Sequence, residues 1–484
     1  MKWLRVLMCC LSIFLSSCFS LGPDYQRPAI VPPQTYRSQI GAAEAISFAD
    51  LPWWQVFRDD ALSELIAEAL HNNYDLRVAA SRVEQARALA GIARAEFFPQ
   101  LGYEGGVGRS HAAGQFFVPV PSGQSENVFK GLFNLAWEFD VWGRIRRSNE
   151  VALAQLLASE EFRRGVILSL ISDVAQAYFE LQELDLELAI ARGTTESFQK
   201  TLDLFTKRFQ LGVASKLEIA RAEASLASTA ATIPILERAI VAKENQISIL
   251  LGRNPGSIAR GASLTDHTVP PQTPPGLPSQ LLERRPDIRQ AEQTLIAANA
   301  QIGVVEANFL PRIGLSGLYG GVGTEIENVV NGKGNVWAIT GQITGPLFQG
   351  GRIYENYRGA WAQWEEVKLQ YEQAVITALR EVSNALIGQQ KLAAARKEQE
   401  RAVAAFQESV RLSTLRYTGG LAGYFEVIDA QQQLFPAENA LAQIRRDQLL
   451  AVVQLYRALG GGWSGYAEPI ATPPPWYTTI PPIP

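Results

Sequence analysis

Cysteine, histidine and methionine are scarce in this chain of 484 residues, which contains three, three and two of them. The histidines are far apart in the sequence and are expected to be ordinary surface residues: His71, His111 and His267. No Cys or His cluster has the spacing of a metal site, and no Gly-x-Ser-x-Gly elbow or phosphate-binding loop is present. The sequence therefore predicts neither an enzyme nor a protein with a bound metal.

Basic residues are not in excess, because 44 Lys and Arg face 48 Asp and Glu. A nucleic-acid partner is therefore not expected. After the N-terminal leader, no run of about 20 consecutive apolar residues occurs, so no transmembrane helix is predicted there. If the chain spans a membrane, it does so with strands.

The first 17 residues have the pattern of a secretory signal peptide, with Lys2 and Arg5 before an apolar run and small residues at its end. The segment LSSC, which ends at Cys18, resembles a bacterial lipobox, whose cysteine becomes the acylated first residue of the mature chain. Phe19 is not the aspartate that retains such lipoproteins at the inner membrane, so the resemblance implies an outer-membrane address. The alternative is an ordinary signal peptide with an incidental cysteine. A covalent lipid on Cys18 is the only non-protein group predicted, and no cofactor is expected.

An internal repeat with a spacing of about 210 residues divides the chain into two similar halves. RFQLG at 208–212 matches RYTGG at 416–420, and AEFFP at 95–99 matches ANFLP at 307–311. This spacing is far longer than that of solenoid repeats, so it indicates a duplicated half rather than an array.

Six segments are predicted along the chain. They are a signal peptide, a lipid-anchored N-terminal segment, a first structural repeat, a linker, a second structural repeat and a Pro-rich tail. Their bounds are, in that order, 1–17, 18–74, 75–254, 255–283, 284–462 and 463–484.

Each half contains a long helical pattern almost free of Gly and Pro, from about Arg144 to Gln210 and from about Arg352 to Thr418. Some 66 residues with a rise of 1.5 Å each make a rod of about 100 Å, which is far longer than a globular domain needs. Glycine supplies the positive φ angles that end helices, so Gly212 and the pair Gly419 and Gly420 predict two tight reversals.

The segments before each long helix alternate between apolar and polar positions, which is typical of strands. In 129–141 and 337–347 the odd positions are apolar or glycine. The residues predicted to face lipid are Phe129, Phe133, Trp137, Phe139, Trp337, Ile339 and Ile343. Segments 101–107 and 313–319 supply partners, so the chain offers four strands of about ten residues, long enough to cross a bilayer when tilted. A soluble sheet with one wet face would alternate identically and remains the alternative.

Four strands cannot close a barrel by themselves. Open sheet edges in lipid leave backbone groups without hydrogen bonds, at a cost of several kcal/mol each. A membrane barrel built from these strands must therefore be shared between chains.

Several segments, in the same order over nearly the whole mature chain, resemble those of TolC-like outer-membrane efflux lipoproteins, the OprM and NodT branch. They are GPDYQRP at 22–28, WW at 53–54, NYDL at 73–76, RRPDI at 284–288 and ANFLP at 307–311. The resemblance implies an α+β membrane protein with two internal repeats. It would be a homotrimer whose twelve transmembrane strands, four per protomer, close one β-barrel, and whose helices form a long periplasmic α-helical barrel.

The function implied by this resemblance is that of an exit duct of a tripartite efflux pump, which passively conducts drugs or other small molecules across the periplasm and the outer membrane. A periplasmic adaptor, or membrane fusion protein, would dock at the reversals Gly212, Gly419 and Gly420, and an inner-membrane pump of the RND type would complete the assembly. Outer-membrane lipid would surround the strands. Two alternatives stay open: an exit duct of a type I protein-secretion exporter, and a non-channel periplasmic coiled-coil lipoprotein scaffold.

The resemblance also implies a periplasmic gate just after the reversals. The family's pore-narrowing acids correspond to Glu426 and Asp429, which are three residues apart and so share a helix face. Six such carboxylates in a trimer would repel anions and detain cations. The first half has Glu218 and Arg221 at the matching positions, and an Arg beside acids can latch neighbouring helices. Ala422 stands where the family usually has an arginine. The alternative is that these acids only favour the first helical turn.

Overall fold

The structure, a computed structural model, describes residues 20–37, 39, 47–111, 125–267 and 275–462. The predicted signal peptide, Cys18, and the tail from residue 463 lie outside the described residues. Contacts divide the chain into two compact units. The sheet unit draws its described residues from 1–29, 82–160 and 290–372, and the helical unit from 30–81, 161–289 and 373–484.

The two predicted repeats are present as two series of elements in the same order. Helices α1 (Trp53–Phe57) and α2 (Asp60–Asn72) precede the first series. That series is α3 (Tyr74–Ala95), β1 (Gln100–His111), β2 (Ser125–Phe139), α4 (Arg144–Gln210), α5 (Lys216–Ala230) and α6 (Thr232–Leu250). After α7 (Leu281–Arg284), the second is α8 (Pro286–Ala307), β3 (Arg312–Gly323), α9 (Ile326–Val330), β4 (Asn335–Thr344), α10 (Arg352–Thr418) and α11 (Tyr424–Ala458). The long helices α4 and α10 have the predicted bounds.

In the first hairpin the helix that returns from the reversal is divided in two, because α5 and α6 are separated at Ala231. Pro234 has no amide hydrogen to donate to the Ala230 carbonyl, which favours an interruption at this place. Pro436 lies inside α11, yet that helix continues through it.

One helical stretch of the described chain, Lys216–Leu250, is long and apolar enough to cross a membrane by length and composition alone. A single stretch of this kind is weak evidence for a span. The interruption at Ala231 also leaves pieces of 15 and 19 residues, whereas a spanning helix needs about 20.

Aromatic side chains form part of the core of the helical unit. The Phe57 ring centroid is 6.2 Å from those of both Phe179 and Tyr456, with nearly perpendicular planes. The Tyr456 hydroxyl donates a hydrogen bond of 2.7 Å to the Leu51 carbonyl. These contacts hold α1 against α4 and α11, and burial of each such ring stabilises the fold by about 1.5–3 kcal/mol.

His267 is not the surface residue that was expected, since its side chain is only 6% exposed. Its Nε2 lies 2.9 Å from Gln182 Oε1 and 3.6 Å from Asp59 Oδ2, and its ring packs against the edge of Phe179. Burial lowers the pKa of His267, and the Asp59 carboxylate opposes that effect. Sequence spacing did not reveal this burial, because it depends on how residues 255–267 fold over α2 and α4. His71 is exposed, as expected.

Candidate functional site

All seven residues predicted to face lipid lie on one face of a single antiparallel sheet, whose strands are ordered β1-β2-β3-β4. Directly opposed residues of neighbouring strands share a face. Phe133 is opposite both Tyr103 and Tyr319, and Tyr319 is opposite Trp337. The same register places every odd-numbered strand residue on this side, which we call the apolar face. Trp337, Ile339 and Ile343 are 71%, 73% and 72% exposed there.

The apolar face includes large residues that the sequence interpretation did not assign to it. They are Leu101, Tyr103, Val107 and Tyr319, all of them exposed. Their signal was present in the sequence, because they stand at odd positions, and Leu101, Tyr103 and Val107 lie between glycines or polar residues. Exposed apolar side chains grouped on one face are typical of a surface that meets a membrane or a partner.

The opposite face of the sheet carries most of the charged side chains of the strands, together with glycines and apolar residues such as Leu132 and Leu318. Lys130 and Glu104 form an ion pair on it, and Thr340 and Gln342 of β4 are exposed. A sheet with one apolar and one polar face is suited to separate lipid from water.

Two tryptophans hydrogen-bond at the end of the sheet next to the long helices. The indole Nε1 of Trp137 donates to the Phe97 carbonyl at 3.0 Å, and that of Trp142 donates to the Pro311 carbonyl at 2.7 Å. An apolar ring with a satisfied polar end is typical of residues at a membrane-water interface.

The N-terminal segment that carries the GPDYQRP motif is bound to the sheet unit by its own side chains. Arg27 donates to both carboxylate oxygens of Glu292, at 2.6 and 2.7 Å, which is a bidentate pair. Arg147 of α4 donates to Asp24 Oδ1 at 2.9 Å. Gly22 has φ +86°, and a Cβ there would lie 2.5 Å from the backbone of α8. The motif thus places the start of the described chain against α4 and α8.

Each helix reversal has the same backbone motif. Gly212 and Gly420 have φ angles of 75° and 71°. The Val213 amide donates to the Arg208 carbonyl at 3.0 Å, and the matching bond in the second half joins the Leu421 amide to the Arg416 carbonyl at 2.8 Å. This is the Schellman arrangement, in which a left-handed residue ends the helix. Gly419, the other member of the predicted pair, does not have a positive φ.

A buried cluster, here the reversal cluster, joins the two reversals. Its members are Phe198, Phe205, Ala222, Tyr417, Tyr424, Val427 and Ile428. The rings of Phe205 and Tyr424 are 3.9 Å apart, and the Arg208 guanidinium lies 4.7 Å from the Tyr417 ring centroid. Burial raises the pKa of Tyr424 above its ordinary value. The aromatic side chains therefore pack α4, α5, α10 and α11 together near the predicted gate.

Glu218 has a structural role in the chain. The Ser215 hydroxyl accepts from the Glu218 amide at 3.3 Å, and the Glu218 carboxylate accepts from the Ser215 amide at 2.6 Å. This is a capping box at the start of α5. It agrees with the first-turn alternative for this acid.

Glu426 lacks such a cap, because Gly423 stands where the first half has Ser215. Its carboxylate instead faces Arg416, with Nε 3.6 Å from Oε2. The sequence interpretation did not assign Arg416 to the gate. The sequence contained a signal for this pair. Gly423 replaces Ser215 in the second half, which leaves the Glu426 carboxylate without a capping partner.

Asp429 and Arg221 have other neighbours within the chain. Asp429 Oδ2 accepts from Gln433 Nε2 at 2.8 Å. The Arg221 guanidinium lies 6.0 Å from the Phe425 ring centroid, and both line a cavity of about 500 Å³. Within the described part of this chain, Arg221 forms no ion pair. The latch predicted for Arg221 would act between chains and stays a prediction.

Large apolar side chains are exposed around both reversals. They are Leu211, Val213, Leu217, Leu421 and Phe425. Val213 and Leu217 correspond to Leu421 and Phe425 by the repeat spacing of 208 residues. Among residues 20–37, 39, 47–111, 125–267 and 275–462, no group of His, Cys, Asp and Glu side chains could hold a metal ion.

Both halves of the chain match the same protein family. The sequence profile of the family "Outer membrane efflux protein" matches residues 65–253 and 277–461. The cation efflux system protein CusC of Escherichia coli is 33% identical over 463 residues, which are 95% of this chain and 99% of that protein. The solvent efflux pump outer membrane protein SrpC of Pseudomonas putida is 34% identical, over 93% of this chain and 97% of SrpC. The "Probable outer membrane lipoprotein SilC" of Salmonella typhimurium is 32% identical, over 95% and 99%.

Solved structures give the same result. A CusC crystal structure matches with a TM-score of 0.82 and 30% identity, over 92% of this chain and all of that one. The open-state MtrE outer membrane channel of Neisseria gonorrhoeae matches with a TM-score of 0.83 and 29% identity, over 92% of this chain and 98% of MtrE.

Proposed function

The chain belongs to the outer membrane efflux protein family and is an outer-membrane component of an efflux system; from that premise we propose how its residues form, anchor and gate an exit duct. The relatives are trimeric channels of tripartite systems. Three copies of a four-stranded sheet supply twelve strands, in which β1 of one protomer pairs with β4 of the next, so that no edge remains open in lipid.

The observation that carries this proposal is the two-sided sheet. Its apolar face meets outer-membrane lipid through the seven predicted residues, and its polar face lines water. Trp137 and Trp142 lie at the boundary nearest the helices, where interfacial tryptophans are favoured.

Single-channel recording in planar bilayers tests the proposal. The purified full-length chain is expected to give discrete, long-lived conductance steps. A coiled-coil scaffold without a pore would give none, and that outcome would overturn the duct.

A covalent lipid on Cys18 anchors the N-terminus. The bonds of Arg27 with Glu292 and of Arg147 with Asp24 hold the chain that follows this cysteine against the sheet unit. The Leu21 amide also donates to the Trp142 carbonyl at 3.2 Å. The described chain therefore begins next to the boundary where Trp142 lies.

The gate is formed by Glu426 and Asp429 of the three protomers, with Glu218 holding the adjacent helix start. Glu426 and Asp429 are three residues apart on α11, so a threefold axis would bring six carboxylates together. Arg416 neutralises part of this charge within the chain, and Arg221 latches the acids of neighbouring helices. The closed ring retards anions and binds cations.

A periplasmic adaptor docks at the reversals marked by Gly212, Gly419 and Gly420. The exposed apolar side chains around them offer a repeated surface, with Val213 and Leu217 in one half and Leu421 and Phe425 in the other. An adaptor with apolar hairpin ends fits both copies of that surface. An inner-membrane pump of the RND type supplies the energy, and the duct itself catalyses no reaction.

The cargo consists of small molecules that the pump selects. Relatives are named for cations and for solvents, so both classes belong in the test. Growth inhibition of a deletion strain by a panel of drugs, dyes, solvents and metal salts would identify the cargo. A deletion strain as resistant as its parent to the whole panel would contradict a role in small-molecule efflux.

A further inference from the structure

The short helix α9 lies between β3 and β4, at the end of β3 opposite Pro311. It packs against β3 and β2, with Val329 turned toward glycines of both strands. A Cβ added to Gly321 would lie 3.0 Å from Val329 Cγ1, and one added to Gly131 would lie 3.7 Å from it. Val329 can approach the strands this closely because neither residue has a side chain. We call Gly131 and Gly321 the shelf.

The shelf belongs to the apolar face of the sheet. Gly131 and Gly321 are opposite each other in the register of β2 and β3, and both are odd-numbered. Phe129 and Phe133 of β2 and Tyr319 of β3 lie on the same side. The loop helix thus folds back onto the outside of the sheet rather than over its polar face.

Backbone bonds hold the loop in this position. The Gly334 amide donates to the Asn328 carbonyl at 2.8 Å, and the Val322 amide donates to the Gly334 carbonyl at 2.9 Å. The Asn331 amide donates to the Glu327 carbonyl at 2.8 Å. The position of α9 is therefore defined by the loop itself and does not rest on Val329 alone.

Two large apolar side chains of α9 are exposed to solvent in the structure of the single chain. Ile326 is 57% exposed and Val330 is 78% exposed. They are four residues apart, so they share one side of the helix, whereas the exposed Glu327 lies about 100° further around it. An apolar side and a charged side on a helix that lies along a membrane face are typical of an interfacial helix.

We infer that α9 is an interfacial anchor, whose Ile326 and Val330 insert among the acyl chains of the outer leaflet at the upper boundary of the barrel. The helix α9 packs on the apolar face itself, against Gly131 and Gly321, and this position identifies lipid as the occupant of its uncovered side. Gly321 is eight residues beyond Ile313 in β3, about 26 Å along the strand, and a strand tilted by about 40° rises about 20 Å over that length, close to the top of an apolar band of about 25 Å. The inference rests on the proposed lipid-facing role of the sheet.

Nitroxide labels on single cysteines in proteoliposomes test the anchor. Val330→Cys and Ile326→Cys are compared with Glu327→Cys, a matched control on the same helix. Ile339→Cys serves as the reference for the lipid side of the sheet, and Thr340→Cys for the water side. The full-length chain without a new cysteine gives the background from Cys18. Collision with molecular oxygen, which concentrates in lipid, is measured against collision with nickel ethylenediamine diacetate, which stays in water.

The ratio of oxygen to nickel accessibility is expected to be severalfold higher at Val330→Cys and Ile326→Cys than at Glu327→Cys, and close to that at Ile339→Cys. Water-like ratios at both positions, with a lipid-like ratio at Ile339→Cys, would overturn the anchor and leave the duct intact. A water-like ratio at Ile339→Cys itself would overturn the lipid-facing sheet, and the anchor with it. If one of the two α9 variants fails to fold, the other decides.

Discussion

Arg416 and Glu426 face each other across the second helix reversal, with Arg416 Nε 3.6 Å from Glu426 Oε2. Gly420 brings these residues together, because its left-handed backbone turns the chain between α10 and α11. Both side chains are about half exposed, and an exposed pair contributes about 1 kcal/mol or less. Such a pair can hold a resting arrangement without preventing it from opening.

Replacing both Glu426 and Asp429 with Ala is expected to raise the resting conductance severalfold and to weaken block by divalent cations. Crowded carboxylates create a negative field that binds cations, and their removal abolishes it. Recording in planar bilayers with and without Mg²⁺ or Ca²⁺ measures both effects. Unchanged conductance and block in the double variant would show that these acids are only first-turn residues.

Variants of the two arginines test the latch separately from the cation-binding carboxylates, in the same recordings. Arg416→Ala and Arg221→Ala are each expected to raise the resting conductance while leaving most of the cation block, because the acids remain. Normal conductance in Arg221→Ala alone would remove Arg221 from the gate and leave the Arg416 assignment unaffected.

Gly423→Ser is expected to reproduce part of the acid-removal effect without removing an acid. A serine at this N-cap, with backbone φ −77° and open space around its Cβ, can form the capping box that Ser215 forms with Glu218. Glu426 would then turn toward its own helix and release Arg416. Conductance is expected to rise and divalent block to weaken. Gly423→Ala is the matched control, since it adds a Cβ but no hydroxyl, and equal effects of the two changes would contradict this explanation.

Ile339→Arg is expected to impair membrane insertion, because a cation on the lipid face near the midplane costs about 2–4 kcal/mol. Trp137→Arg should cost less, since Trp137 lies near the boundary, where that penalty falls. Thr340→Arg, on the polar face, is the control and should insert normally. The measurement is the yield of heat-resistant trimer in outer-membrane fractions. Equal losses at positions 339 and 340 would show that the sheet does not separate lipid from water.

The long helices and the apolar face were predictable because their signals are local. The span from Arg144 to Gln210 lacks interior prolines, and period-two alternation directly assigns strand residues to faces. The burial of His267 and the Arg416–Glu426 pair were not predicted, because both depend on which distant segments meet. The capping box at Ser215 and Glu218 is an intermediate case. Its Ser-x-x-Glu pattern is visible in the sequence, whereas its consequence for Glu426 appears only when the halves are compared.

Cys18→Ser is expected to abolish incorporation of a labelled fatty acid while leaving trimers in the outer membrane. The apolar face holds the sheet in lipid independently of the anchor. Metabolic labelling followed by immunoprecipitation measures the first effect, and membrane fractionation measures the second. Label that persists in the variant would contradict acylation at Cys18, and loss of the protein from the membrane would show that the strands do not suffice.

His267→Gln is expected to reduce the loss of stability of the helical unit on acidification. Burial lowers the pKa of His267 below its ordinary 6.5, so the unfolded chain takes up a proton before the folded chain does. The stability that depends on neutral His267 is therefore fully present above about pH 6.5 and is lost as the pH falls toward the folded pKa. The midpoint of thermal unfolding, followed by helix ellipticity in detergent, measures the effect.

Glu183 must be replaced before the His267 effect is measured, because the titration of Glu183 changes stability with pH in the opposite direction. Its burial raises its pKa to about 7, against the opposing charge of Arg446. The folded chain thus binds the proton more tightly, and the associated stability is lost as the pH rises from about 4.5 through about 7. Comparing chains with and without His267 in a Glu183→Gln background isolates the His267 effect. The midpoint should then fall more steeply between about pH 6.5 and pH 5.5 with His267 present than in the double variant. Identical slopes would show that His267 carries no pH-dependent stability.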